Sequence, residues 1–366
     1  MSRSRNSHNS VGFKLEFQVQ KLLIVRRLPA EWEKQSGVQL TWPHKDSDWS
    51  NIFDSVEKNF IEIAKEITEV EKLLIVVKDK NVDNLKALLN KSKANLKNIT
   101  FANANANDVW ARDHAAISVY ENGNPLLLKF NFNGWGEKYE HNFDNDIHKQ
   151  LLKNKIFQAH KTEFIDLVLE GGSIESDGNG TILTTTSCLL NKNRNPNLTK
   201  VEIENKLKKY LGIERILWID NGLIEGDDTD GHIDTLARFC SNEKIAYVGP
   251  DNQKAQNFPS LKDMEKELSE LKTIKGNSYN LVKLPSPSSK YDQDGNKLPA
   301  TYANFLILNT VVLVPTYDDP SDNEALEIIQ DCFKERKVIG IDCQSLIIQR
   351  GSLHCVTMHY PRGVIF

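Results

Sequence analysis

The sequence predicts an α/β protein, on three observations. Short apolar or β-branched runs recur along its 366 residues, each bounded by Gly, Pro, Asn or Asp. Between them lie segments whose apolar residues return every three or four positions, the period of an amphipathic helix. The composition, 39% hydrophobic and 26% charged, is that of an ordinary globular chain long enough to bury a sizeable core.

Taken in order, the first helical pattern is Asp48–Ile67, where Ile52, Val56, Phe60, Ile63 and Ile67 form one face. Leu73–Val77 follows as a strand, and Asn81–Leu89 as a second helix. Ala115–Tyr120, Pro125–Phe132 and Gly180–Thr186 read as strands, Leu198–Gly212 as a helix, and Ile245–Gly249 as a strand. Ser286–Pro299, with prolines, serines and an Asp-Gly pair, is the strongest loop signal. The long apolar run Phe305–Pro315 reads as one strand. Ser321–Lys334 reads as a helix opened by a Ser321/Glu324 capping box, and Gly363–Phe366 as a last strand. Strand-plus-helix units repeat, but the pattern alone leaves a doubly wound sheet, a barrel and a propeller open.

A net charge of -4 and a pI near 6.2 leave no basic surplus for binding phosphate backbones, so nucleic acid is not an expected partner. No apolar run reaches the roughly 18 residues that would span a membrane. Residues 1–10 read as a disordered basic lead-in. Lys14, Glu16 and Lys21 interrupt the apolar stretch that a secretory signal would need. Residues 11–366 read as one catalytic domain. The five cysteines form neither a CxxC pair nor an even set, which fits a reducing cytoplasm better than a disulfide framework.

Four segments place charged or nucleophilic groups at the ends of apolar runs: Asn107–Val119, Leu167–Thr185, Gly226–Phe239 and Arg350–Pro361. In the third, Asp227, Asp228, Asp230 and Asp234 surround His232, and on an extended strand residues 230, 232 and 234 would share a face. A solvated turn, a metal site and a cation pocket all stay open for this segment. Glu170 precedes two glycines, which permit close backbone approach. Trp110, Arg112 and Asp113 stand together, where an Arg beside an Asp is usually a surface ion pair. Cys355 lies at the mouth of an apolar run, and burial in the core is the ordinary fate of a free cysteine. Several carboxylates around a cysteine suit a guanidinium, which is planar, always charged and bound by carboxylates in pairs. Such a cation also favours the thiolate.

The chain resembles the agmatine deiminases and Porphyromonas-type peptidyl-arginine deiminases of the guanidino-group-modifying superfamily. The resemblance rests on RLPAEWE, TWP, VWARD, LEGGSIESDGNGTILTT followed by CLLNKNRNP, DDTDGHID with ARF, TYANF and HCVT, in that order from about Arg27 onward. It implies a five-bladed α/β-propeller, the pentein fold, of ββαβ-type repeats around a central active site. It also implies that no metal and no organic cofactor takes part. Carried over by motif, Cys355 is the nucleophile, His232 the general acid/base, Asp113 and Glu170 guanidinium-binding carboxylates, Asp234 a group near the substrate nitrogens, and Trp110 a pocket wall. The reaction implied is hydrolysis of agmatine to N-carbamoylputrescine and ammonia through a covalent thiouronium. Asp227 or Asp228 would meet the amine end. Arginine, peptidyl-arginine and non-catalytic polyamine binding are the alternatives. The resemblance is compatible with a homo-oligomer. Where relatives carry a glycine-rich run before the cysteine and glutamines after it, this chain has RGSLHC and VTMHYP.

Overall fold

In a computed structural model the described residues are 25–80, 82–157, 161–250 and 256–364. The basic lead-in and the last two residues of the expected C-terminal strand lie outside them. Gly363 is in a turn and Val364 is in no strand, so the part of that strand that is described does not form.

Within this range five sheets repeat one connectivity: an antiparallel pair, then a helical crossover to a parallel strand. The first runs Ile117–Glu121, Asn124–Asn131, helix Asn142–Lys153, Lys161–Val168. The second runs Ile174–Ser176, Thr181–Thr185, helix Lys200–Leu211, Arg215–Ile219. Ala237–Ser241, Lys244–Val248, helix Phe258–Glu270 and Asn280–Leu284 make the third, and Leu306–Ile307, Val311–Thr316, helix Asp322–Cys332 and Lys337–Asp342 the fourth. The fifth joins the chain's two ends: Thr357–Pro361 pairs antiparallel with Gln35–Thr41, which crosses through helix Phe53–Val70 to Lys72–Val77. A right-handed helical crossover is the ordinary way to return a strand parallel to its neighbour.

The expected apolar face of the first helix is the buried one, with Val56, Phe60, Ile63 and Ile67 packed inward. Leu73–Val77 is likewise wholly buried. Three local expectations change. The run Phe305–Pro315 is two strands, because Asn309 turns the chain: its backbone N–H donates to Glu71 and its amide pairs with both backbone groups of Gln35. No Gly or Pro announces that turn. The loop Ser286–Pro299 contains a small hairpin, Lys290–Tyr291 with Lys297–Leu298, turned at Gly295. Ser321 makes no cap, since Asp322 instead accepts from the backbone of Tyr317 and Asp319. A capping box does form at Thr199 and Glu202.

One regularity positions the site. Each repeat is entered by a tight turn just before its first strand: Ala111–His114, Gly171–Ser173, Ile233–Thr235, the segment holding Asn304, and residues 353–356. The segments singled out by sequence are four of these five entries.

Candidate active site

The two glycines after Glu170 mark where the entries meet. A Cβ added to Gly172 would lie 2.6 Å from His232 Nδ1, 3.0 Å from Asp113 Oδ1 and 3.1 Å from Asp234 Oδ2. Three groups that titrate therefore converge on one point that a methyl would fill. Gly172 also donates its N–H to Asp113 Oδ1 at 3.0 Å, while Trp135 Nε1 donates to the other oxygen at 2.9 Å. Burial nevertheless raises the Asp113 carboxyl to about 6. Asp234 is pushed well above the usual carboxylate range, by burial first and by Asp113 second.

Cys355 adjoins this cluster through Asp234. Its Sγ is 4.0 Å from Asp234 Oδ2 and 3.4 Å from Asn304 Oδ1. Burial, then Asp234 and Asp113, push the thiol well above its ordinary value. With these neighbours the thiol form is favoured. A cation between it and the two carboxylates reverses that balance, because it screens the anions and favours the thiolate.

His232 is fully buried, and neither ring nitrogen has a hydrogen-bond partner. Its nearest charge is Asp113, 3.7 Å away. Burial pulls the imidazole down to about 4, so the ring is neutral at pH 7 and holds one proton and one lone pair for an incoming group. An orphaned polar side chain in a buried place costs free energy unless water or a ligand partners it.

The aspartate-rich segment does not extend as a strand. Asp227 accepts from the backbone N–H groups of Thr229 and Gly231, Asp230 takes a left-handed φ of 68°, and residues 233–235 form a 3-10 turn. Residues 230, 232 and 234 therefore share no strand face. Asp230 turns away to Arg194 and Lys138, and only His232 and Asp234 reach the centre. Arg112 and Asp113 are no surface pair either: both are buried, and Arg112 points away toward Glu31 at 3.5 Å.

Glu170 gives one oxygen to Arg194 Nε at 2.6 Å and leaves the other without a partner. With Cys188 and His232 it makes the one cluster among the described residues whose donor atoms lie within 4.8 Å of one another. The donor set does not fit a divalent ion. Arg194 already neutralises the carboxylate, and burial followed by Glu170 keeps the Cys188 thiol protonated.

A cleft opens from this centre, with Trp110, Trp135, Tyr139, Asp48, Asp228 and Arg350 on its walls and Cys355 at its floor. Trp110 donates to Asp108 at 2.9 Å and packs so closely on Gly351 that a Cβ there would overlap its six-membered ring. Asp228 accepts from Tyr139 at 2.7 Å. Arg350, in a left-handed conformation, donates to the Gly226 carbonyl at 2.9 Å and so ties the aspartate loop to the cysteine loop. Sequence reasoning missed Asn304, Trp135, Arg194, Glu31 and His354. Four of them stand in the motifs RLPAEWE, CLLNKNRNP, TYANF and HCVT, but nothing local assigned them a contact.

A fold of repeated ββαβ units that brings a cysteine, a neutral imidazole and paired carboxyls together beside a cleft defines a cysteine-dependent guanidino-group hydrolase. The chain belongs to the Porphyromonas-type peptidyl-arginine deiminase family, whose sequence profile matches residues 27–361. An agmatine deiminase of Pseudomonas aeruginosa is 31% identical over 358 residues, 92% of this chain and 95% of its own. A C. jejuni agmatine deiminase, a cysteine-to-serine variant with substrate bound, is 34% identical with a TM-score of 0.85, covering 96% of this chain and 99% of that one. A Porphyromonas gingivalis structure, provisionally named an arginine deiminase, is 44% identical with a TM-score of 0.88, covering 93% and 100%.

Proposed function

We propose that the protein is an agmatine deiminase, hydrolysing the guanidinium of agmatine to N-carbamoylputrescine and ammonia. The observation that carries this reading is the convergence of Asp113, Asp234 and His232 on Gly172, facing Cys355 Sγ. A planar cation placed there meets the Asp113 carboxylate, the Asp234 carboxyl and the sulfur.

The chemistry follows in two covalent steps. Cys355 Sγ, as thiolate, adds to the guanidinium carbon while the Asp113 carboxylate and the unpartnered Oδ1 of the neutral Asp234 carboxyl hold the cation's N–H groups. Once the thiolate has neutralised the guanidinium, His232 takes a proton from solvent at the cleft and gives it to the departing nitrogen, and ammonia leaves a thiouronium. Neutral again, His232 takes a proton from water, which adds to the same carbon and expels the sulfur. Glu170, whose free oxygen is close to His232, acts here on the imidazole. Asp227 holds its own loop with both oxygens, so Asp228 and Asp48 are the carboxylates placed to meet an ammonium at the cleft mouth. The reading takes residues 11–366 as one catalytic domain, supported by the pairing of the C-terminal strand with Gln35–Thr41. It takes the repeats as five blades, supported by the five sheets of common connectivity. It also keeps a cytoplasmic location. Among the described residues no helix is long and apolar enough to cross a membrane.

One observation favours a second reading. Arg350 lines the cleft, and a guanidinium there would suit the carboxylate of arginine, which agmatine lacks. The deciding assay is ureido-product and ammonia release from agmatine, arginine and an internal-arginine peptide, with Cys355→Ser beside the parent. Arg350→Gln then separates the substrates: it raises KM for arginine alone if arginine is the substrate. Release from none of the three, or release retained by Cys355→Ser, removes the deiminase reading.

A further inference from the structure

Behind the site, on the far side of the entry turns, lies a second pocket lined by Pro29, Glu31, Arg112, Ser118, Met358 and His359. Arg112 and Asp113, adjacent in sequence, border different pockets, as do Cys355 and Met358 three residues apart: Asp113 and Cys355 line the front cleft, Arg112 and Met358 the rear one. Ser118 Oγ and Arg112 Nη2 are buried there without hydrogen-bond partners, so the rear pocket offers polar groups that water would satisfy.

A continuous line of polar contacts joins the two. Cys355 Sγ is 4.0 Å from Asp234 Oδ2, and the same oxygen is 2.7 Å from His354 Nδ1. His354 Nε2 is 2.7 Å from Glu31 Oε2, and that oxygen is 3.4 Å from Nδ1 of His359. His359 is the first member of the line with appreciable exposure, at 18%. One imidazole held at 2.7 Å between two carboxyls needs two shared protons, and a neutral ring supplies one. The second belongs to a carboxyl. Glu31 is not the holder: burial alone would raise it, but His354, Arg238 and Arg112 outweigh burial and keep it well below the usual carboxylate range. Asp234, raised by burial, is.

We propose that Asp234, His354, Glu31 and His359 form a proton path from Cys355 to the rear pocket, carrying the thiol proton away when a cationic substrate fills the front cleft. The proposal rests on the guanidine-hydrolase reading, because it is the substrate cation that makes the thiol acidic. The transfer balances as one proton moving through four groups. Asp234 passes its proton to His354 Nδ1 and takes the one from Sγ, leaving a thiolate. The Nε2 proton of His354 goes to Glu31, and from there to Nδ1 of His359, 3.4 Å away, whose lone pair gives up its 3.1 Å hydrogen bond from Arg112 Nη1 to receive it. The Nε2 proton of His359 then leaves to water in the rear pocket. The reverse run reprotonates the sulfur after product leaves and restores each tautomer. Arg112 and Arg238 flank the path, with Glu175 paired to Arg238 at 2.9 Å, so the line passes through a region whose charges are already compensated. Burial pulls His359 down to about 4, opposed by Glu31, so it releases a proton readily.

The test is single-turnover formation of the thiouronium with agmatine, followed by rapid quench and protein mass in weak buffer. His359→Gln keeps an acceptor for Arg112 and carries no titratable proton; it should slow thiouronium formation at least about tenfold, less than the roughly 100-fold or more of a direct general acid or base because His359 acts at the far end of the path. His359→Ala should be slowed likewise and recover with added imidazole, which a merely structural role would not allow. Agmatine binding to Cys355→Ser should be unchanged by either substitution. Acylation in His359→Gln within about twofold of the parent, or a slow His359→Ala that imidazole does not restore, overturns the path while leaving the deiminase reading intact. A parent enzyme that turns over no guanidine overturns the reading, and the path with it.

Discussion

Asn304→Asp exchanges one atom type and changes the charge at the nucleophile. Asn304 Oδ1 accepts from the backbone N–H of His354 at 2.9 Å and of Cys355 at 3.3 Å, and lies 3.4 Å from Sγ. An aspartate in this place keeps both N–H donors, which hold it ionised. A negative charge 3.4 Å from a forming thiolate costs on the order of 5 kcal/mol at an effective dielectric of 20, or roughly 3 to 4 pK units. The bound cation screens part of this, so kcat/KM for agmatine should fall at least about 100-fold. The assay is the pH dependence of iodoacetamide alkylation at Cys355 read by peptide mass, beside kcat/KM and a thermal midpoint. The second carboxylate oxygen also replaces an amide donor to the Asp234 carbonyl at 3.3 Å, so a small loss of stability is expected. Alkylation and kcat/KM both within about threefold of the parent, in a protein that still folds, would refute the assignment of Asn304 as the group that sets the charge beside the sulfur.

Three further outcomes are expected. Glu170→Gln removes one of the two carboxylates paired with buried Arg194, leaving Asp230, and should cost about 1–3 kcal/mol in urea unfolding, with kcat/KM falling as well; an unchanged midpoint counts against the pair. Asp113 titrates near 6 in the fold against 3.8 for a free carboxyl, so its share of stability is present at low pH and lost as pH rises through about 6. His232, lowered to about 4 from 6.5, has the opposite sign and gains over that window, so Asp113→Asn should make the thermal midpoint climb more steeply between about pH 4 and 6, and parallel curves contradict this. Gly351→Ala drives a methyl into Trp110 and should cost about 1–3 kcal/mol while raising KM for agmatine, with Trp110→Phe in the same chain recovering part of the loss.

Much of the fold was legible because its signals are local. The helix Phe53–Val70 and the strand Lys72–Val77 follow from periodicity, and burial falls on the faces that periodicity names. What failed was decided by side chains bonding backbone. Asn309 breaks an apolar run without a glycine, Asp322 displaces the Ser321 cap, and Asp227 curls the segment that alternation would have made a strand. The same competition left the metal and cation readings of that segment undecided, since they differ in whether Asp230 faces His232.

The sequence by itself determined which residue types the site contains, because nucleophile, imidazole and carboxylates stand in motifs whose order is covalent. It could not determine who touches whom. Asn304 lies 51 residues from Cys355, Trp135 lies 22 from Asp113, and Glu31 lies 323 from His354; these contacts exist because each repeat enters the centre through its own turn. The charge states are tertiary in the same sense. Burial and neighbours set whether Asp234 holds a proton and whether His232 is neutral, and both depend on groups that the chain brings together only when its last strand pairs beside Gln35–Thr41.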